Sequence, residues 1–160
     1  MQTQKRDAPM GMGGGKFLKL EVGQSVSGVF RGEIKSYWQN WPKGGTKETS
    51  DVAKPGFQER FKVNFVVYEE GAFVAKIFDL NLFTYNQIAT INESMDIETI
   101  KCTISRQATG KGSTYFIMPN LKEPLKPVAL EAIGKVPLVP IGQMPAQEQA
   151  PGDDNGELPF

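Results

Sequence analysis

The chain has 160 residues, the length of one ordinary domain with flexible ends, and its 39% hydrophobic and 22% charged content suits a globular protein that buries its own core. No apolar run approaches the ~20 residues that cross a bilayer, and a Met-Gly-rich start with Pro9 after Lys5 and Arg6 is unlike a secretory signal, so a soluble cytoplasmic protein is expected. A single cysteine, Cys102, and the absence of histidine exclude a disulfide framework, the usual metal sites and imidazole proton relays. No cofactor is expected.

The net charge is zero, but it is unevenly distributed. Residues 1–126 hold 17 basic against 13 acidic residues, a net of +4, and the last 34 hold Lys135 against five acids, a net of −4. A mildly basic body with an acidic tail points to nucleic-acid contact at one end and regulation or recruitment at the other.

In chain order, residues 1–15 lack apolar periodicity and carry four glycines in the five positions from Gly11, which predicts a disordered arm. A strand pattern starts at Phe17, Leu18 and Leu20. It continues past Gly23 with Val26, Phe30 and Ile34 on one face and Ser27, Val29, Arg31, Glu33, Lys35 and Tyr37 on the other. Gly28 and Gly32 within this strand predict a sharp bend. Gln39 to Gly56 reads as an 18-residue loop, long for a compact domain and therefore a candidate for function.

Glu59 to Tyr68 alternates cleanly, with Phe61, Val63, Phe65 and Val67 on one side and Arg60, Lys62, Asn64 and Val66 on the other. Glu69-Glu70-Gly71 predicts a tight turn into a third strand, Ala72 to Leu80. Asn81 to Asn92 has Leu82, Tyr85, Ile88, Ala89 and Ile91 spaced for one face of a short helix. Ile97 to Arg106 and Ser113 to Met118 form a second hairpin across Thr109-Gly110-Lys111-Gly112. There the alternation of Cys102 with Ile100 and Ile104 marks its thiol as a core group.

This element order predicts an all-β domain over residues 16–120, an OB-fold: a five-stranded Greek-key barrel with its helix between the third and fourth strands. Residues 121–150, rich in Pro, Gln and Ala, read as a linker in which Val128 to Ile133 has room for a turn or two of helix. Residues 151–160 form an acidic tip.

Two features carry function. Single strands of nucleic acid are held by bases stacking on aromatic rings while basic groups follow the phosphates. Tyr37, Trp38, Trp41 and Phe57 flank or occupy the long loop, with Arg31, Lys35, Lys43, Lys47, Lys54, Arg60 and Lys62 around them. Lys101, Arg106, Lys111 and Tyr115 are candidates for a far wall. Aromatic residues are ordinarily core and scattered lysines ordinarily solvated, and core is the favoured place for Phe73, Phe78, Tyr115 and Phe116. Trp41 is the exception, because it precedes Pro42-Lys43-Gly44-Gly45 in a loop too polar to bury it.

Catalysis finds less support. Gly11 to Lys16 resembles a phosphate-cradling loop, but no strand precedes it and no Ser or Thr follows the lysine. Glu48, Asp51 and Glu59 are ordinary loop acids, and no catalytic constellation emerges, so a non-enzymatic protein is expected.

The second feature is the end of the chain, Asp153-Asp154-Asn155-Gly156-Glu157-Leu158-Pro159-Phe160, which resembles the acidic tip closing on Pro-Phe of bacterial and phage single-stranded DNA-binding proteins. A terminal Phe joins a ring and a carboxylate on one residue, suited to an apolar pocket beside a basic group. The resemblance covers eight residues and implies a binder of single-stranded DNA that recruits replication, recombination or repair proteins through Asp153, Asp154, Glu157, Leu158, Pro159 and Phe160. The long loop after the first strand is closer to a phage or prophage member, working in a host cytoplasm, and leaves homo-oligomerisation open. The alternatives are an OB-fold protein-interaction module of a replication complex and an RNA-binding OB domain.

Overall fold

The computed structural model describes residues 16–141. Its elements are β1 (Ser25–Asn40), β2 (Glu48–Ser50), β3 (Gln58–Glu69), β4 (Ala72–Asn81), α1 (Leu82–Ser94), a 3-10 turn (Ile97–Thr99), β5 (Cys102–Thr109), β6 (Gly112–Pro119) and α2 (Pro127–Gly134). The described residues are thus mostly antiparallel β-sheet with two short helices. The arm 1–15 and the tip 151–160 lie outside the described residues.

The strands form one sheet in the order β4-β3-β1-β5-β6, with β2 folding back onto the end of β1. The expected 39–56 loop therefore begins later and contains a strand, Trp38 facing Ser50 and Asn40 facing Glu48. β1 is long enough to serve two neighbours on one edge: its first residues pair with β5 from Ser25/Ser105 to Gly28/Cys102, and its last with β2. Along its other edge it pairs with β3 throughout, with a break in register between Arg31 and Lys35. Gly32 sits in that break at φ +83, a left-handed conformation that side chains resist. Gly28 is required for a different reason, since a Cβ there would collide with the Val66 carbonyl and the Phe65 ring. The β3–β4 hairpin turns through Glu70 and Gly71, both at positive φ (51 and 85), with Glu69 opposite Ala72. Two central residues at positive φ define the turn that matches strand twist.

One face of the sheet encloses the main core: Phe30 from β1, Phe61, Val63, Phe65 and Val67 from β3, Phe78 and Leu80 from β4, Cys102 and Ile104 from β5 and Ile117 from β6, with Ile88 of α1. The sheet curls around them far enough for Phe78 of β4 to meet Tyr115 of β6 edge to face at 5.0 Å, although these two end strands share no ladder. Other groups bridge the gap. Gln87 of α1 donates to the Tyr115 carbonyl (3.0 Å) and accepts from the Ile117 N–H (2.9 Å), and Thr84 donates to the same Tyr115 carbonyl (3.2 Å). Ahead of β1, Lys16 to Leu18 bond the backbone of Ile77 on β4, and Gly23 and Gln24 bond that of Arg106 on β5.

The opposite face is not left to solvent. Ile133 of α2, with Leu125, Val136 and Leu138, packs over Val29, Val66, Phe73 and Ala75. The first part of the segment expected to be linker, up to residue 141, is instead a strap on the sheet, because its Leu, Ile and Val residues have an apolar patch to cover. Among the described residues no helix is long and apolar enough to cross a membrane.

Candidate functional site

Beyond the strap, the same outer face becomes polar. Antiparallel register sets Tyr37 of β1 opposite Arg60 of β3, Lys35 opposite Lys62, and Lys62 opposite Asp79 of β4. Strand alternation then gathers Lys35, Tyr37, Gln39, Arg60, Lys62 and Asp79 on one side, away from Phe61, Val63 and Leu80.

Asp79 organises the cluster. Arg60 donates to its Oδ1 from Nε (3.1 Å) and Nη2 (3.0 Å), and the Tyr37 hydroxyl donates to its Oδ2 (2.7 Å), with the Gln39 side-chain oxygen 3.3 Å from that hydroxyl. Burial and then the Asp79 charge push the Tyr37 hydroxyl well above its ordinary pKa. Lys62 is 5% exposed, and its ammonium lies over the Tyr37 ring, 4.6 Å from the centroid, and 5.8 Å from that of Phe17. Burial holds the Lys62 pKa below the ordinary lysine value, Asp79 opposes this, and the charges of Lys47 and Arg60 add to it.

The β1–β3 connection supplies the rest. Lys47 lies over the Trp41 ring at 5.7 Å and Lys54 over the Phe57 ring at 5.8 Å, while Lys43 is exposed. The Trp41 Nε1–H is buried and has no hydrogen-bond partner among the described residues. Trp38, by alternation, points to the opposite side of β1 and is half-buried between Glu59 and Ser50.

Of the residues singled out in the sequence, Lys35, Tyr37, Trp41, Lys43, Phe57, Arg60 and Lys62 come together on this surface or in its loop. Others have structural partners. Arg31 bonds Glu98 (3.3 Å) and the Ile133 carbonyl (2.8 Å); Lys101 pairs with Glu123 (2.8 Å). Arg106 donates to Leu20 O (2.7 Å) and Ser113 Oγ (2.9 Å), and Tyr115 packs on Phe78. Lys111 is exposed in the β5–β6 turn, beyond the start of β1, whereas the 41–57 connection leaves from its end. Sequence reading missed Asp79, Gln39 and Phe17. For Asp79 a signal existed: it is the one carboxylate in the run Phe73 to Leu80, whose only other charged residue is Lys76.

A second surface is apolar. Leu82 and Phe83, in the first turn of α1, and Met118 of β6 are exposed, and the Phe83 ring meets Phe116 edge to face at 6.1 Å.

Several cations around one committed carboxylate, interleaved with aromatic faces, can hold a polyanion carrying planar groups. Comparison with protein-family models, curated proteins and solved structures found no match.

Proposed function

We propose that the protein binds single-stranded DNA without sequence preference, protecting it during replication, recombination or repair, and recruits partner proteins through the tip Asp153 to Phe160. The observation that carries this reading is the grouping of Lys47 over Trp41 and of Lys62 over Tyr37 with Arg60, around an Asp79 already held by Arg60 and Tyr37. Rings give sequence-tolerant stacking and cations follow the phosphates. The element order and the path β4-β3-β1-β5-β6 support an OB-type barrel, with α1 bridging the end strands. The acidic tip ending Leu-Pro-Phe supports membership among phage-type single-stranded DNA-binding proteins.

Titration with oligo-dT tests the reading: tryptophan fluorescence is expected to fall on binding, with an affinity that weakens as salt rises. Absence of both quench and gel shift at low salt overturns it. Competition with oligo-rU separates DNA from RNA. Removing Glu157 to Phe160 is expected to abolish partner capture and leave oligo-dT affinity unchanged or slightly raised.

The exposed Phe83 and Met118 favour a second reading, a protein-interaction module without nucleic-acid affinity, since clustered exposed apolar side chains mark contact surfaces. Its signature is partner capture lost on Phe83→Ser in a protein that does not bind oligo-dT.

A further inference from the structure

We infer that Lys62, Lys47 and the indole N–H of Trp41 form a phosphate subsite, in which Trp41 acts as a hydrogen-bond donor to a backbone phosphate rather than as a stacking platform. The inference rests on the single-stranded DNA reading and deepens it.

Three observations converge. Buried donors in folded proteins nearly always have acceptors, yet among the described residues the Trp41 Nε1–H is buried and has none. Lys62 is the charged neighbour: it is 5% exposed, its ammonium lies over the Tyr37 ring and 5.8 Å from the centroid of Phe17, and no carboxylate pairs with it among the described residues. Its natural partner, Asp79, has one oxygen committed to Arg60 and the other to Tyr37.

Lys47 adds a second cation on the Trp41 side, its ammonium 5.7 Å from the centre of the Trp41 ring, and its charge is felt at Lys62. Strand alternation, carried one residue past Asn40, places Tyr37, Gln39 and Trp41 in one row. An indole N–H and an ammonium donate and never accept, so this set calls for a ligand with acceptors only and negative charge. A phosphate has both. Neutral ligands would leave the Lys62 charge offset only by an Asp79 already shared with Arg60 and Tyr37, and a stacked base would leave the Trp41 donor unmet.

The test uses tripolyphosphate, which carries phosphates and no bases, on the full chain labelled with 15N. The Trp41 indole N–H signal, assigned by its loss in Trp41→Phe, is expected to move downfield on titration while that of Trp38 stays in place. The shift should disappear in Lys62→Met and persist in Lys62→Arg, which keeps the charge; well-dispersed backbone spectra would show that both variants fold. An unmoved Trp41 signal, or a shift that survives in Lys62→Met, overturns the subsite. With oligo-dT, Lys62→Met should flatten the logarithmic salt dependence of affinity by about 0.7, the contribution of one phosphate contact on a single strand. Oligo-dT binding by a protein whose Trp41 signal ignores tripolyphosphate would overturn the subsite alone. A tripolyphosphate shift without oligo-dT binding would overturn the DNA reading and leave a polyphosphate site.

Discussion

The side chain of Asn64 pairs with the backbone of Val139 as a neighbouring strand would: its Nδ2 donates to the Val139 carbonyl at 3.0 Å and its Oδ1 accepts from the Val139 N–H at 2.8 Å. Asn64 is 3% exposed, in the middle of β3, so an unpaired amide there would be a buried polar group without a partner. The strap supplies that partner and covers Val29 and Val66 in the same step.

Asn64→Ala should therefore loosen the strap. Two hydrogen bonds at about 1 kcal/mol each are lost, for a destabilisation of about 2 kcal/mol. Denaturant unfolding measures the total, and hydrogen exchange at the Val139 amide localises it. Unchanged protection at Val139 would mean that the apolar contacts of Ile133 hold the strap alone.

Gln87 plays the matching part on the other side of the molecule, satisfying the Tyr115 carbonyl and Ile117 N–H of end strand β6. Gln87→Glu keeps the acceptor for Ile117 but sets a carboxylate against a carbonyl. Protonation restores a donor, so the folded protein favours the neutral acid. Stability is then retained below the ordinary glutamate pKa of about 4.3 and lost as pH rises. The variant should melt closer to the parent at pH 4 than at pH 7. A gap independent of pH would place the whole effect elsewhere.

Cys102 gives a second pH-dependent test. Its thiol is fully buried in the core and pushed up to about 11 by loss of solvation. A raised folded pKa favours the neutral thiol. Its contribution to stability is complete below the ordinary value of 9.0 and is lost as pH climbs from there through about 11. At pH 8 iodoacetamide should leave the native protein unlabelled and modify it promptly after denaturation. Labelling of the native chain would reveal local opening of β5.

Much of this architecture was legible in the residues. The alternation of Phe61, Val63, Phe65 and Val67 read directly as one face of β3, which the fold turns to the core, and Glu69-Glu70-Gly71 read as its turn, because period and turn chemistry are local properties. Gly28 and Gly32 marked the bend. β2 escaped notice since Glu48-Thr49-Ser50 has no apolar face and exists only as a partner for β1. The strap escaped because its prolines resemble a linker, and the patch it covers is assembled from strands far from it in sequence. For the same reason a list of basic residues cannot tell Arg31, tied to Glu98 and Ile133, from Lys62, held over Tyr37. The sequence shows charge, but only the fold shows which charges are already spoken for.

Lys62 offers the sharpest prediction, because a group kept for a ligand should burden the protein that lacks one. Its burial disfavours the charged form most, Asp79 offsets part of that penalty, and the charges of Lys47 and Arg60 add to it. Methionine has a similar unbranched shape without the charge, and in Lys62→Met the Asp79 carboxylate keeps Arg60 and the Tyr37 hydroxyl. The variant should therefore melt above the parent at pH 7 by a few degrees, on the order of 1 kcal/mol for a domain of this size. A depressed folded pKa means that the unfolded chain holds more protons at Lys62 than the folded one does. The penalty is complete below the folded pKa and vanishes as pH approaches 10.5. The advantage of Lys62→Met should then shrink between pH 7 and pH 10, a comparison insensitive to Tyr37, which both proteins share. Melting curves of the two proteins at both pH values decide it: a variant less stable than the parent at pH 7 would make Lys62 a structural support and remove the reason to see it as held in readiness for an anion.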